Sequence, residues 1–135
     1  MEKSVVVTGG AGFIGSNLVD NLLRAGNRVT VFDALLRPGS EINLAWLKSR
    51  HPNLRFIQGD VCDADAHADL VYHLAAQVAV TSSVTEPRTD FDINALGTFN
   101  VLEAARRSGR DPIVVYTSTN KVYGGIEDVQ VEERA

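Results

Sequence analysis

The sequence predicts an α/β fold, a doubly wound parallel sheet in strand order 3-2-1-4-5, and three observations carry that prediction. Short apolar runs of strand length recur along the chain: Val5-Val6-Val7, Val29-Thr30-Val31-Phe32, Leu54-Arg55-Phe56-Ile57, Asp69-Leu70-Val71-Tyr72-His73-Leu74 and Pro112-Ile113-Val114-Val115-Tyr116. Amphipathic helical stretches separate several of them, the alternation a parallel sheet requires. The turn after the first run, Thr8-Gly9-Gly10-Ala11-Gly12-Phe13-Ile14-Gly15, is rich in glycine and lies between a strand and a helix.

That turn has the makings of a dinucleotide site. A pyrophosphate must approach bare backbone, so glycines are needed at fixed places. Gly9 suits the tight turn, Gly12 leaves room for the phosphates, and Gly15 lets helix and strand pack closely. Phe13 and Ile14 sit between them, where the helix N-terminus offers unpaired N–H groups and a partial positive charge. The helix runs on through Ser16 to Arg24, with Ile14, Leu18 and Leu22 recurring on one face. Arg24-Ala25-Gly26-Asn27 reads as its stop. The second strand ends in Asp33, eighteen residues after Gly15. A carboxylate there can accept hydrogen bonds from an adenosine ribose; capping a turn is the plainer alternative.

Ala34-Leu35-Leu36-Arg37-Pro38-Gly39 is then a loop beside the adenosine. Ser40 is placed to cap a helix from Glu41 to about Ser49, with Leu44 and Leu47 facing inward. Pro52 and Asn53 end that segment. Beyond the third strand, Gln58-Gly59-Asp60-Val61 makes a turn. There Asp60 can meet the exocyclic amine of an adenine and Val61 can lie against its ring; satisfying a turn amide is the other reading of Asp60.

Only Cys62 to Ala68 separate that turn from the fourth strand, whereas a parallel crossover usually takes a dozen or more residues. This strand should also cross to the far side of the first, the switch point of the sheet. Loss of a crossover helix and absence of residues from the sequence both fit. After the strand comes Ala75-Ala76-Gln77, where small residues let a cofactor ribose and phosphate lie close to the backbone. A long helix is expected from near Pro87 to about Arg107. Phe91, Ala95, Thr98, Leu102 and Ala105 mark one face, and Ile93, Leu96, Asn100 and Ala104 another. Two such faces ask for a second covering surface, either a partner subunit or a further part of the protein. Ser108-Gly109 ends the helix, and the fifth strand terminates in Thr117-Ser118-Thr119.

Composition narrows the classes of function. At 135 residues, 44% hydrophobic and 22% charged, the chain suits one soluble domain. A net charge of −4 argues against nucleic acid as a partner. No apolar run reaches the roughly 18 residues of a membrane span. Met1-Glu2-Lys3-Ser4 leads straight into the first strand, without room for a signal peptide. A lone cysteine, Cys62, fits a reducing cytoplasm. His51, His67 and His73 are scattered, so no metal site is expected.

Together these residues resemble the extended short-chain dehydrogenase/reductase family, in particular its NAD-dependent nucleotide-sugar epimerases and dehydratases. The glycine turn, Asp33, Gly59-Asp60-Val61, His73-Leu74-Ala75-Ala76, Asn94 with Gly97-Thr98, and Ser118-Thr119 before Val122-Tyr123-Gly124 follow the family's order over nearly the whole chain. Gln77-Val78-Ala79, Asp92-Ile93-Asn94 and Ser118-Thr119-Asn120-Lys121-Val122-Tyr123-Gly124 look most like the CDP-tyvelose and CDP-paratose 2-epimerases.

The resemblance implies a cycle in which bound NAD takes a hydride from a sugar carbon, leaving a ketose, and then returns it. It implies that Gly9, Gly12, Phe13, Ile14, Gly15, Asp33, Asp60, Val61, Leu74, Ala75, Ala76, Gln77, Asn94 and Ser118 hold the cofactor. It gives Thr119 the hydroxyl that bonds the reacting sugar oxygen, against the alternative of a threonine closing a strand end. A nucleotide-sugar substrate, with a CDP-sugar favoured, and a homodimer through the 87–107 helix are implied with it. The family's base is a tyrosine followed four residues later by a lysine, and no Tyr-x-x-x-Lys occurs here. Residues 1–135 are therefore expected to be an incomplete NAD-binding domain, the N-terminal portion of a larger enzyme and inactive alone; a stand-alone NAD-binding module is the other class.

Overall fold

A computed structural model describes residues 2–61 and 68–119. The short 62–68 connection, apart from Ala68, and the Ser118 to Gly124 motif beyond Thr119 therefore lie outside the described residues. Five strands, β1 (Ser4–Thr8), β2 (Arg28–Asp33), β3 (Arg55–Gln58), β4 (Leu70–His73) and β5 (Ile113–Tyr116), form one sheet. Its order is β3-β2-β1-β4-β5 and every pairing is parallel, as the sequence predicts. All five carboxyl ends thus share one edge, and the order reverses between β1 and β4.

Alternation along β1 sends its side chains to two cores. Val5 and Val7 join Val19, Val29, Val31 and Leu47 under α1 (Phe13–Arg24) and α2 (Ser40–Arg50). Val6 joins Phe32, Val61, Ala68, Val71, Val101 and Ala104 on the opposite side, under α5 (Gly97–Arg107). Covering both faces is what allows the strands to be apolar throughout. Asp20 of α1 also ties the first two helices, accepting from Arg50 Nε at 3.0 Å and bonding His51 Nε2 at 2.8 Å.

Three local expectations need correction. Helix α1 begins at Phe13, capped by extended Gly12, and turns Gly15, Ser16, Val19 and Asp20 inward. Ile14 is 68% exposed, while Leu18 and Leu22 of the same face are half-buried and pack against the core, so that face is covered only beyond its first turn. Ser40 does not cap α2: it is the first helical residue, and Gly39, at φ 91°, takes the cap position with no side-chain bond. Leu44 and Leu47 do face inward.

The third correction concerns the expected long helix. It is preceded by a short helix, α3 (Val80–Thr85), and divides into α4 (Pro87–Phe91), a π-turn (Asp92–Leu96) and α5. The Gly97 amide reaches back five residues to the Asp92 carbonyl, the bond that defines the wider turn. One extra residue rotates everything after it by about 100° relative to an uninterrupted helix. The face against the sheet is consequently Gly97, Val101, Ala104 and Ala105, which takes Ala105 from one expected stripe, Ala104 from the other, and Gly97 and Val101 from neither. Gly97 is required there, because a Cβ would come 2.7 Å from Val61 Cγ2. No helix among the described residues is long and apolar enough to cross a membrane.

Candidate cofactor site

Open parallel sheets receive ligands at the carboxyl edge where strand order reverses. Here that point lies between Thr8, closing β1, and His73, closing β4. Gly9 follows Thr8 at φ 68°, and a Cβ on it would sit 2.8 Å from the Ala75 amide nitrogen. The turn and the segment after β4 therefore meet backbone to backbone. Gly15 is crowded by the turn itself, since a Cβ there would overlap the Gly9 carbonyl oxygen and come within 2.8 Å of Gly10 Cα. Its close packing is thus with the glycine turn, rather than with the strand as expected.

Ala11, at the centre of the turn, is fully buried and fixed at both of its peptide groups. Its N–H donates to Asp33 Oδ2 at 2.9 Å, and its carbonyl accepts from Asn43 Nδ2 at 2.9 Å. Asp33 Oδ1 accepts the Leu35 amide at 2.8 Å. Turn capping is therefore a real part of Asp33's work, yet a carboxylate offers about four acceptor positions and two remain for a ligand. Asn43 has no counterpart among the residues singled out from sequence; an asparagine on a helix facing a glycine turn is its only signal.

On the far side of the switch point, Leu74, Ala75 and Gln77 are half-buried and Ala76 exposed. The Gln77 peptide is clamped by Asn94 of the π-turn: Asn94 Oδ1 accepts from its N–H at 2.8 Å and Nδ2 donates to its carbonyl at 3.0 Å. Asn94 thus reaches the site through Gln77, its amide being spent there and on Asp90 Oδ1, to which Nδ2 also donates at 3.1 Å. Arg37, from the loop after β2, donates to Gln77 Oε1 at 3.1 Å, so the two loops meet above the sheet edge. Phe13, Ile14, Leu36 and Val78 leave exposed apolar surface along this same edge.

In the turn after β3 the Gly59 amide donates to Asp33's carbonyl at 3.2 Å, and Asp60, expected to meet the adenine, is half-buried beside it. Val61 is only 5% exposed and its side chain belongs to the core under α5. Its side chain is therefore a packing group first, leaving its backbone edge for a ligand. Ser118 and Thr119 are exposed just beyond β5. Thr117 bonds His73's carbonyl through both its amide, at 3.3 Å, and its hydroxyl, at 3.2 Å, which fixes the start of that segment.

The arrangement can hold an extended dianion with a sugar at each end. The first amides of α1 have no carbonyl within the helix to bond, which makes them donors for an anion at the end of the glycine turn. Free acceptor capacity on Asp33 suits ribose hydroxyls, and small residues line the other rim. The residues present fit a dinucleotide cofactor. Among the described residues, no group of three or more His, Cys, Asp or Glu is placed to hold a metal ion.

The chain matches the family described as GDP-mannose 4,6 dehydratase over residues 6–135. It is 42% identical to the CDP-paratose 2-epimerase of Salmonella typhi, an alignment that covers 96% of this chain and 40% of that protein. It is 38% identical to the dTDP-glucose 4,6-dehydratase of Mycobacterium tuberculosis strain H37Rv, covering 97% and 40%. Among solved structures, the UDP-glucose 4-epimerase of Stenotrophomonas maltophila, crystallised with bound NAD and formylated UDP-arabinopyranose, superposes with a TM-score of 0.82. That match is 28% identical and covers 96% of this chain and 41% of the other. The chain thus spans about 40% of the length of the proteins it matches.

Proposed function

The chain belongs to the GDP-mannose 4,6-dehydratase family, the nucleotide-sugar epimerases and dehydratases of extended short-chain dehydrogenase/reductase type, and from that premise we propose that it is the NAD-holding portion of a nucleotide-sugar epimerase. One observation carries the cofactor reading: the glycine turn meets Ala75 backbone to backbone at the switch point, beside a carboxylate with acceptor capacity to spare. In this reading Gly9, Gly12, Phe13, Ile14 and Gly15 receive the pyrophosphate, Asp33 the adenosine ribose, and Asp60 with Val61 the adenine. Leu74, Ala75, Ala76, Gln77 and Ser118 border the nicotinamide half, with Asn94 acting behind Gln77.

When bound, NAD supplies reversible hydride acceptance. The chain's own part is to orient it and to place one hydroxyl, Thr119, at the carboxyl edge, where it can bond a sugar oxygen without carrying charge. The tyrosine base of the family is not among these 135 residues, so we assign it to a further part of a longer enzyme and expect this chain alone to be inactive.

A CDP-sugar 2-epimerase is the specific activity we favour, on the likeness to CDP-paratose 2-epimerase and the sequence following Gln77. A 4-epimerase or a 4,6-dehydratase is the second reading, favoured by the dehydratase and 4-epimerase likenesses. A cytoplasmic homodimer paired through residues 87–107 completes the proposal. Supplying the longer enzyme with CDP-, UDP- and dTDP-sugars and following ring stereochemistry by NMR tests it. Inversion at C2 of a CDP-sugar is expected; inversion at C4, or loss of water, would transfer the assignment to the second reading.

A further inference from the structure

Thr8 and His73 are register partners at the ends of β1 and β4, and both side chains lie on the α5 side of the sheet. The His73 ring is 1% exposed and stacks obliquely on Tyr116, centroids 5.7 Å apart. Its Nδ1 lies 2.7 Å from Thr8 Oγ1 and its Nε2 3.0 Å from Thr98 Oγ1. The partners beyond those hydroxyls fix where the protons are.

Thr98 Oγ1 donates to the Asn94 carbonyl at 2.7 Å, and a carbonyl can only accept. A hydroxyl has one proton, so toward His73 Thr98 accepts, and Nε2 carries the hydrogen. At the other end the Ala75 amide donates to Thr8 Oγ1 at 3.3 Å, leaving the Thr8 proton for Nδ1. One ring nitrogen donates and the other accepts, which is the neutral imidazole. Burial works in the same direction, pushing the ring's pKa below the ordinary histidine value.

Asn94, where this chain of bonds ends, is the residue that clamps Gln77. The path therefore closes on itself, from Ala75 through Thr8, His73, Thr98 and Asn94 to Gln77, two residues from its start. Inside it lies the 75–77 rim, pressed against Gly9. We propose that His73, held as the neutral tautomer protonated on Nε2, is the positioning residue that seats the 75–77 rim against the glycine turn and so sets the affinity for the dinucleotide. Affinity here rests on the cofactor reading above; the placement of the ring proton does not.

Two measurements on the 135-residue chain test this. Long-range ¹H–¹⁵N correlation at neutral pH, with the His73 signal assigned by its loss in His73→Gln, should show the proton on Nε2. Titration with NAD should show Thr98→Val, which keeps the shape and removes the acceptor, binding roughly tenfold more weakly, as loss of one buried hydrogen-bond partner predicts. Thr98→Ser should recover wild-type affinity within about twofold. A proton on Nδ1, or a folded Thr98→Val that binds NAD as the wild type does, overturns the inference. Should Thr98→Val fail to fold, the ring proton of the wild type still decides. Absence of NAD binding by the wild type overturns the cofactor reading and the positioning role with it, while Nε2 protonation remains separately readable.

Discussion

Asp33 Oδ2 accepts the amide of Ala11 at 2.9 Å, across twenty-two residues of sequence. The carboxylate that ends β2 therefore holds the glycine turn as well as facing the place proposed for an adenosine ribose. Its charge also opposes a 2′-phosphate, while Arg37, the cation nearby in sequence, is bonded to Gln77.

From this we expect the chain to prefer NAD over NADP. Asp33→Ala should weaken NAD by ~10–100-fold, since hydrogen bonds to a charged group are worth roughly 1.5–3 kcal/mol, and should narrow the gap between the cofactors. Competitive titration of both into the two proteins measures it. Wild-type preference for NADP would sink the assignment of Asp33.

Acid should destabilise the chain in two windows. Burial holds the pKa of the folded His73 ring below the ordinary histidine value of about 6.5. Below 6.5 the unfolded chain takes up a proton that the folded ring refuses, so stability falls with pH there and is fully present above it. The second window opens near 3.8. Asp20 is held below that value chiefly by the hydrogen bond from His51, and Asp69 by the backbone amide of Ser4. Their contribution is present above 3.8 and is lost as pH falls through the lowered pKa values. Urea melts between pH 8 and pH 3 should show both declines, with His73's share of the first missing in His73→Gln. Identical pH profiles for the two proteins would contradict the burial argument.

Thr119 is expected to matter for turnover in the longer enzyme and not for cofactor binding. Thr119→Val should lower kcat and kcat/KM together by ~10²-fold, the usual scale for a lost transition-state hydrogen bond. Thr119→Ser should retain most activity, and NAD affinity should be unchanged in both. If Val behaves as wild type, Thr119 is structural and Ser118 becomes the candidate.

The helical segment over residues 87–107 leaves Phe91 59%, Phe99 61% and Leu102 50% exposed. Pairing of two copies across a twofold axis would bury that surface. Sedimentation of the longer enzyme should give a dimer that Phe91→Lys combined with Phe99→Glu dissociates. A monomer at all concentrations in the unsubstituted protein would contradict this.

The sheet order was legible because β-branched runs and glycine punctuate the chain at strand spacing, and because the glycine turn identifies which strand is central. The π-turn was not, since no residue between Asp92 and Leu96 announces an added position, and one such position undid both predicted helix faces. Ser40 resembled a cap by type, but Gly39 in the left-handed region ends the loop one residue earlier. The bonding role of His73 and the whole part played by Asn43 were missed for a related reason. Their partners lie far off in sequence: Thr8 is sixty-five residues from His73, and Ala11 thirty-two from Asn43. Periodicity reports which way a side chain faces, not which distant polar atom waits there.

The claim on which the rest depends is that the glycine turn holds a dinucleotide. Equilibrium titration of NAD into the 135-residue chain, beside Gly15→Ala, addresses it directly. A Cβ on residue 15 must displace the Gly9 carbonyl, and with it the glycine turn itself. Saturable one-to-one binding by the wild type is expected, with loss of most of that affinity in Gly15→Ala. No saturable binding by the folded wild type, or equal affinity in the two proteins, would contradict it.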